Sequence, residues 1–163
     1  MSDVATENRD GSPLTGGCLC GRVQYRIDRT GAGSSPGTGD PVFGPVANCH
    51  CTMCRKAQGG AFGTNATVST ARFALEQGAD SITEYESTPG KLRCFCGVCG
   101  SPIYSRRLDD PTHVRIRLGT LNEDPGVRAQ FHACVDTKAP WFEITDDLPR
   151  YGTWAQAQAD LRK

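Results

Sequence analysis

The sequence predicts an all-β domain of short strands with one short helix. The 19 glycines and 10 prolines make up 29 of the 163 residues, which favours many turns over long helices. Several segments alternate apolar and polar side chains, which is the period of a half-buried strand. The chain is also long enough for one domain with a hydrophobic core of its own.

The strands are predicted in turn along the chain. Val23, Tyr25 and Ile27 alternate with polar residues and predict the first strand. Gly59-Gly60 would end a short helix over residues 51–58 as a glycine C-cap. The other predicted strands cover residues 42–48, 61–68, 72–77, 81–86, 91–95, 103–107, 113–118 and 131–135.

The remaining segments predict turns and tails. Residues 1–16 are polar and predict a disordered or loosely docked tail. Residues 31–41 are rich in Gly, Ser and Pro and predict a flexible surface loop. Residues 139–142 form a turn that carries large aromatic side chains, and residues 153–163 are expected to be a tail or a short helix.

Composition limits the class of protein. Lys plus Arg and Asp plus Glu each number 18, so no basic excess favours nucleic acid. No apolar run approaches the length of a membrane-spanning helix, and the polar first residues are unlike a secretory signal. We therefore expect a cytoplasmic protein with reduced thiols, in which nine cysteines indicate metal binding or catalysis before disulfides.

Two short cysteine pairs predict a structural zinc site. Cys18 and Cys20 form one pair and Cys96 and Cys99 the other, and each pair is flanked by glycine. Glycine lets the backbone turn tightly enough for both sulfur atoms to reach one ion. Four thiolates around Zn²⁺ form a closed tetrahedral site whose binding energy is coupled to folding. The alternative is two redox pairs or buried free thiols.

Cys49, Cys51 and Cys54 form a second group with three thiols. Three protein ligands and an open position are typical of a catalytic zinc. The alternative is a second structural site, closed by Cys94 or His50. Cys94 is equally compatible with a small core residue, whereas Cys134, among apolar neighbours, is predicted to be a buried free thiol. His50 is a proton shuttle or points away from the metal, and the second interpretation is favoured.

These motifs together resemble a known family. The segments 17–21, 49–56 and 93–101, followed by Lys138-Ala139-Pro140-Trp141, are similar to the glutathione-dependent formaldehyde-activating enzyme family, which includes centromere protein V-like proteins. The resemblance implies a zinc-dependent β-tent of small antiparallel sheets over residues 14–152, with a flexible tail over residues 1–13. It also implies a structural zinc at the first thiol group and a labile or catalytic zinc at the second, hence two Zn²⁺ per chain.

The family's reaction implies the substrates. It is the condensation of glutathione with formaldehyde to S-(hydroxymethyl)glutathione, classed as carbon–sulfur lyase chemistry, so Cys49, Cys51 and Cys54 would be catalytic. Glutathione carries two carboxylates, and the candidate cations that would bind it are Arg55, Lys56, Arg93 and Lys138; the alternative is that they are solvated surface charges. His132 and Trp141 are core residues or pocket wall.

Other functions stay open at this point. A thiol carrier without turnover would use the same residues, and a zinc-pinned surface could instead dock a protein or a nucleic acid. A thioredoxin-like oxidoreductase is disfavoured because the alternation of strands and helices is missing. We expect a small-molecule thiol and an aldehyde as partners, no nucleic acid, no membrane, and a monomer or weak homodimer.

Overall fold

The computed structural model describes residues 11–30 and 41–162. Within them the chain forms the following strands and α-helices: β1 (Leu14–Gly17), β2 (Gln24–Ile27), β3 (Val46–Cys49), α1 (Thr52–Gln58), β4 (Gly63–Ser69), β5 (Phe73–Gln77), β6 (Ile82–Thr88), β7 (Lys91–Cys96), β8 (Pro102–Arg107), β9 (Asp110–Arg117), β10 (Phe131–Ala133), β11 (Arg150–Tyr151) and α2 (Trp154–Leu161). The prediction of a mostly β fold is confirmed. None of the described helices has the length and apolar character needed to cross a membrane.

The described residues divide into two compact units. The larger unit contains residues up to 44 together with residues 66–127, and the smaller unit contains residues 45–65 and those from 128 onward. Strand β4 begins in the smaller unit and ends in the larger one. Each thiol group predicted from the sequence lies within a single unit.

The larger unit contains antiparallel strands. Strands β1, β2 and β5 form one three-stranded sheet in that order, and β6 to β9 pair as successive hairpin neighbours. Leu14, Tyr25 and Ile27 are completely buried, as the alternating pattern requires of one face. The Tyr25 ring packs 5.3 Å from Phe73, whose ring lies 5.1 Å from Tyr104.

The smaller unit is built differently, since its strand β10 pairs in parallel with both of its neighbours. Strand β10 pairs with β3 on one side and with β11 on the other, and Ala133 lies opposite Cys49 in this register. Its core consists of Ala47, Phe131, Ala133 and Ala157, with Tyr151 and Trp154 packed against it. Thr153 caps α2 through a capping box with Gln156.

The structure differs from the sequence prediction at several elements. Residues 14–16 belong to β1, where Leu14 is buried, so the prediction that the tail extends to residue 16 was wrong. Strand β11, only two residues long, was not predicted. Helix α1 ends as expected at Gly59, whose φ of 67° is left-handed. The predicted tail over residues 1–10 and the loop over residues 31–40 lie outside the described residues.

Candidate metal centres

The first thiol group lies in the larger unit. Cys18 and Cys20 follow β1, Cys96 ends β7, and Cys99 lies in the turn before β8. The four sulfur atoms lie within 4.8 Å of one another. The Cys18–Cys20 and Cys20–Cys96 sulfur distances are 3.5 and 3.9 Å. Zn²⁺ bonded to four sulfurs at about 2.3 Å would place them about 3.8 Å apart, so this group fits tetrahedral zinc.

Local hydrogen bonds orient the sulfur atoms of this group. The Val23 backbone N–H donates to Cys18 Sγ at 3.2 Å. The Gly100 N–H donates to the Cys96 carbonyl, and this turn needs the left-handed φ of 75° at Gly100. Hydrogen bonds with the side chain and backbone of Ser101 lower the pKa of Cys99 to about 5. A thiol that ionises this readily suits a metal ligand, since the thiolate is the coordinating form.

The second thiol group lies in the smaller unit, where a strand leads into a helix. Cys49 ends β3, Cys51 is the N-cap of α1, and Cys54 lies in its first turn. The Cys51 sulfur accepts a hydrogen bond from the Cys54 N–H at 3.3 Å. The three sulfur atoms lie within 4.8 Å of one another. Cys49 and Cys54 are buried, and Cys51 is half-buried.

A cation would stabilise the ionised form of the three thiols in the second group. Contact with the Cys134 thiol, and crowding by Cys54, raise the pKa of Cys49. The neighbouring thiols of Cys49 and Cys54 likewise raise the pKa of Cys51. Thiols this close cannot all ionise without a positive charge between them. The donor set, three thiols that are free of disulfide bonds, fits a soft divalent metal such as zinc.

His50, located between two of these cysteines, faces away from them. Its Nε2 lies 2.8 Å from His132 Nδ1, and His132 Nε2 lies 3.0 Å from an Asp146 carboxylate oxygen. The His50 ring packs against Phe62 and Phe142. Burial, then the nearby His132 and Lys138, lower the pKa of His50 to about 4, so it is neutral at pH 7. His132 is only 2% exposed and is therefore a core residue, whereas Trp141 is 70% exposed.

The four candidate cations are not equivalent. Arg55 and Lys56 follow Cys54 directly on α1, with Arg55 partly buried and Lys56 exposed. The Lys138 ammonium donates to the carbonyls of Ala139 and Phe142 and so holds the turn at residues 139–142. Arg93 lies on β7, in the larger unit. The smaller unit thus contains three of the four cations as well as the second thiol group.

Two cysteines lie outside both groups. Cys94 is buried in the larger unit, its sulfur donates to a Glu84 carboxylate oxygen at 3.4 Å, and burial raises its pKa to about 12. Cys134 was predicted to be a buried free thiol among apolar neighbours. It is free of disulfide bonds and packs against the core of the smaller unit, but it is half-buried, and the Cys49 thiol affects its pKa most strongly. No spacing pattern could reveal this proximity, since 85 positions separate the two residues in the sequence (134 − 49).

Fold and site together define a class of protein: a small β-sheet protein with two cysteine groups of metal-site geometry. A family model described as "Glutathione-dependent formaldehyde-activating enzyme" matches residues 13–137, and the chain therefore belongs to this family. A relative from Halomonas elongata, named "Putative glutathione-dependent formaldehyde-activating enzyme", is 27% identical over 139 residues, which is 80% of each chain.

A solved structure supports the fold. The crystal structure of a Rhodobacter sphaeroides protein matches with a TM-score of 0.51 and 22% sequence identity. The match covers 70% of this chain and 90% of that one. At this identity the likeness concerns the fold alone.

Proposed function

We propose that this protein binds glutathione, or a similar small thiol, at Cys49, Cys51 and Cys54 and adds it to formaldehyde or a related carbonyl. The observation that carries the proposal is the convergence of three sulfur atoms within 4.8 Å, with Cys51 half-buried. Three thiol ligands leave one tetrahedral position for a substrate thiol. Membership of a family named for glutathione and formaldehyde supplies the substrate class.

The cysteines and the cations of this site have different proposed roles. Cys49, Cys51 and Cys54 would hold a zinc ion, which when bound lowers the pKa of a coordinating thiol. Arg55 and Lys56 follow at once on α1, where they would attract the carboxylates of glutathione. The Arg55 Nε is buried and makes no hydrogen bond with any described residue, so it has a donor to offer a carboxylate.

Lys138 is the third cation proposed for this site. The Lys138 ammonium already donates to two carbonyls. It would therefore attract a glutathione carboxylate by its positive charge while it still holds the turn. Arg93 stays a prediction from the sequence. The first thiol group, Cys18, Cys20, Cys96 and Cys99, would hold the structural zinc, and a reducing cytoplasm would suit both groups.

The proposed reaction is an addition that needs no oxidant. The glutathione sulfur attacks the carbonyl carbon of formaldehyde, and a carbon–sulfur bond forms. The thiol releases its proton to water as it becomes the attacking thiolate. The π electron pair moves to the carbonyl oxygen, which takes up one proton from water to give S-(hydroxymethyl)glutathione, so no net proton is gained or lost. The reverse step breaks the carbon–sulfur bond, which is the sense in which the activity would be a lyase.

Cys54→Ser is expected to lower the catalysed rate of S-(hydroxymethyl)glutathione formation by about 100-fold, because it removes a direct ligand of the proposed metal. Replacing a residue that only hydrogen-bonds to a metal ligand already lowers metal affinity or activity by about 10- to 100-fold. Formaldehyde and thiols also combine spontaneously, so the rate without protein must be subtracted. Product formation followed by NMR measures this directly.

Cys94→Ala is the matched control, since it removes a thiol that belongs to neither group. It is expected to keep the wild-type rate. If wild type, Cys54→Ser and the uncatalysed mixture all react at one rate, the enzyme proposal is wrong and thiol binding without turnover is what remains.

Metal analysis tests the scheme independently of activity. Protein purified without chelator is expected to contain two zinc ions per chain, since both groups offer thiolate ligands. Cys54→Ser is expected to release one of them to a chelator at a lower chelator concentration than the wild type does, because the second site has lost a ligand. A single zinc in the wild type, or none, would contradict the two-site scheme.

A further inference from the structure

Cys134 lies next to the second thiol group in the sheet of the smaller unit. Strand β10 ends at Ala133, opposite Cys49 in the parallel pairing with β3, and Cys134 follows immediately. The His50 N–H donates to the Ala133 carbonyl at 2.8 Å, which fixes the two strand ends together. Cys134 therefore emerges at the same end of the sheet as the thiol group.

The Cys134 side chain is directed at that group. The thiols of Cys49, Cys51 and Cys54 all influence the charge state of its sulfur, and the Cys49 thiol has the largest effect. The backbone of Trp154, the first residue of α2, forms a hydrogen bond with the Cys134 sulfur. Cys18 and Cys51, both proposed ligands, likewise accept a backbone N–H bond at sulfur.

The backbone at Cys134 is unusual for a residue with a side chain. Its φ of 59° and ψ of 43° are left-handed, and among the described residues it alone combines a positive φ with a side chain. Glycine would fit this conformation without strain. The sulfur itself lies outside the mutual 4.8 Å of the other three. A change between staggered χ1 rotamers moves a cysteine sulfur by about 3 Å, so the distance of this sulfur from the other three depends on its rotamer.

We propose that Cys134 supplies a fourth thiolate ligand to the Cys49–Cys51–Cys54 group at rest, and that an incoming small thiol displaces it. The inference rests on the proposed function for the displacing thiol. In the exchange, one metal–sulfur bond breaks as another forms, and the proton of the incoming thiol passes to the Cys134 sulfur. The open position would thus be protected until a substrate thiol arrives.

Cobalt(II) in place of zinc reports the number of thiolate ligands through its sulfur-to-metal charge-transfer absorption. The wild type is expected to show eight thiolates per chain, and Cys134→Gly and Cys134→Ser seven, a loss of about one eighth of the absorption. Cys134→Gly relieves the left-handed backbone, so it separates loss of the sulfur from loss of folding. Cys94→Ala is the control and is expected to match the wild type.

A glutathione titration of the same samples tests displacement. Glutathione is expected to restore the missing absorption in Cys134→Gly at a concentration about tenfold lower than the wild type needs for exchange, because no protein thiolate competes. Equal absorption of wild type and both Cys134 variants before glutathione would overturn the fourth-ligand assignment, even if glutathione then binds. A deficit in both variants that glutathione never changes would instead overturn displacement and the proposed function together, while the fourth ligand stands.

Discussion

Cys96→Ser is expected to cost the larger unit its cooperative fold. Structural zinc sites of this type contribute on the order of 10 kcal/mol to folding, comparable with the whole stability of a small domain, so we expect a loss of at least about 5 kcal/mol. Cys96 is completely buried and joins the β7 end of the unit to the Cys18–Cys20 turn. Thermal and urea unfolding followed by circular dichroism measure the loss.

Cys94→Ala is a closely matched control for this prediction. Cys94 lies two residues earlier on the same strand and is 1% exposed, against 0% for Cys96. It belongs to neither metal group among the described residues. Its replacement should cost about 1 to 2 kcal/mol, as for a small buried side chain. Equal losses in the two variants would show that burial, and not metal binding, makes Cys96 important.

Gly78→Ala is expected to destabilise the larger unit by about 3 kcal/mol or more, through steric overlap added to backbone strain. Gly78 has a φ of 73°, and a Cβ there would overlap the Arg22 carbonyl oxygen and lie 2.9 Å from its carbonyl carbon. Both neighbours are backbone atoms, so the clash cannot be relieved by rotating a side chain. The displaced segment includes Val23, whose N–H donates to Cys18.

Gly90→Ala is the control that measures the cost of left-handed backbone strain without steric overlap. Gly90 has nearly the same φ, 74°, but a Cβ there would meet nothing within 4 Å. Only the left-handed backbone cost of about 1 kcal/mol should remain. Urea unfolding of both variants measures the difference, and equal destabilisation would contradict the close approach of Arg22 to Gly78. A parallel loss of the first zinc in Gly78→Ala alone would show the connection to Cys18.

Local patterns in the sequence were enough to predict several parts of the fold. The alternation of Val23, Tyr25 and Ile27 predicted a strand, and β2 buries Tyr25 and Ile27 on one face. Gly59 predicted the end of α1. Strand β1 was missed because its only large apolar residue is Leu14, which follows a polar run and precedes two glycines. A single buried side chain gives no period.

Local sequence patterns also predicted which thiols lie close together. Cys49, Cys51 and Cys54 were predicted as one group because a few residues of chain cannot separate their sulfur atoms far, and the structure brings the three together. The two glycine-flanked pairs, Cys18–Cys20 and Cys96–Cys99, were predicted to meet, and their sulfurs do converge.

The sequence by itself therefore determined which thiols lie close together within each short segment, because short spacing and glycine turns act locally. Only the tertiary structure decided what surrounds the second group. The parallel pairing of β10 with β3 places His132 against His50, 82 residues apart, and brings Cys134 to Cys49. Strand register sets these contacts, and it depends on the packing of distant segments and not on any local pattern.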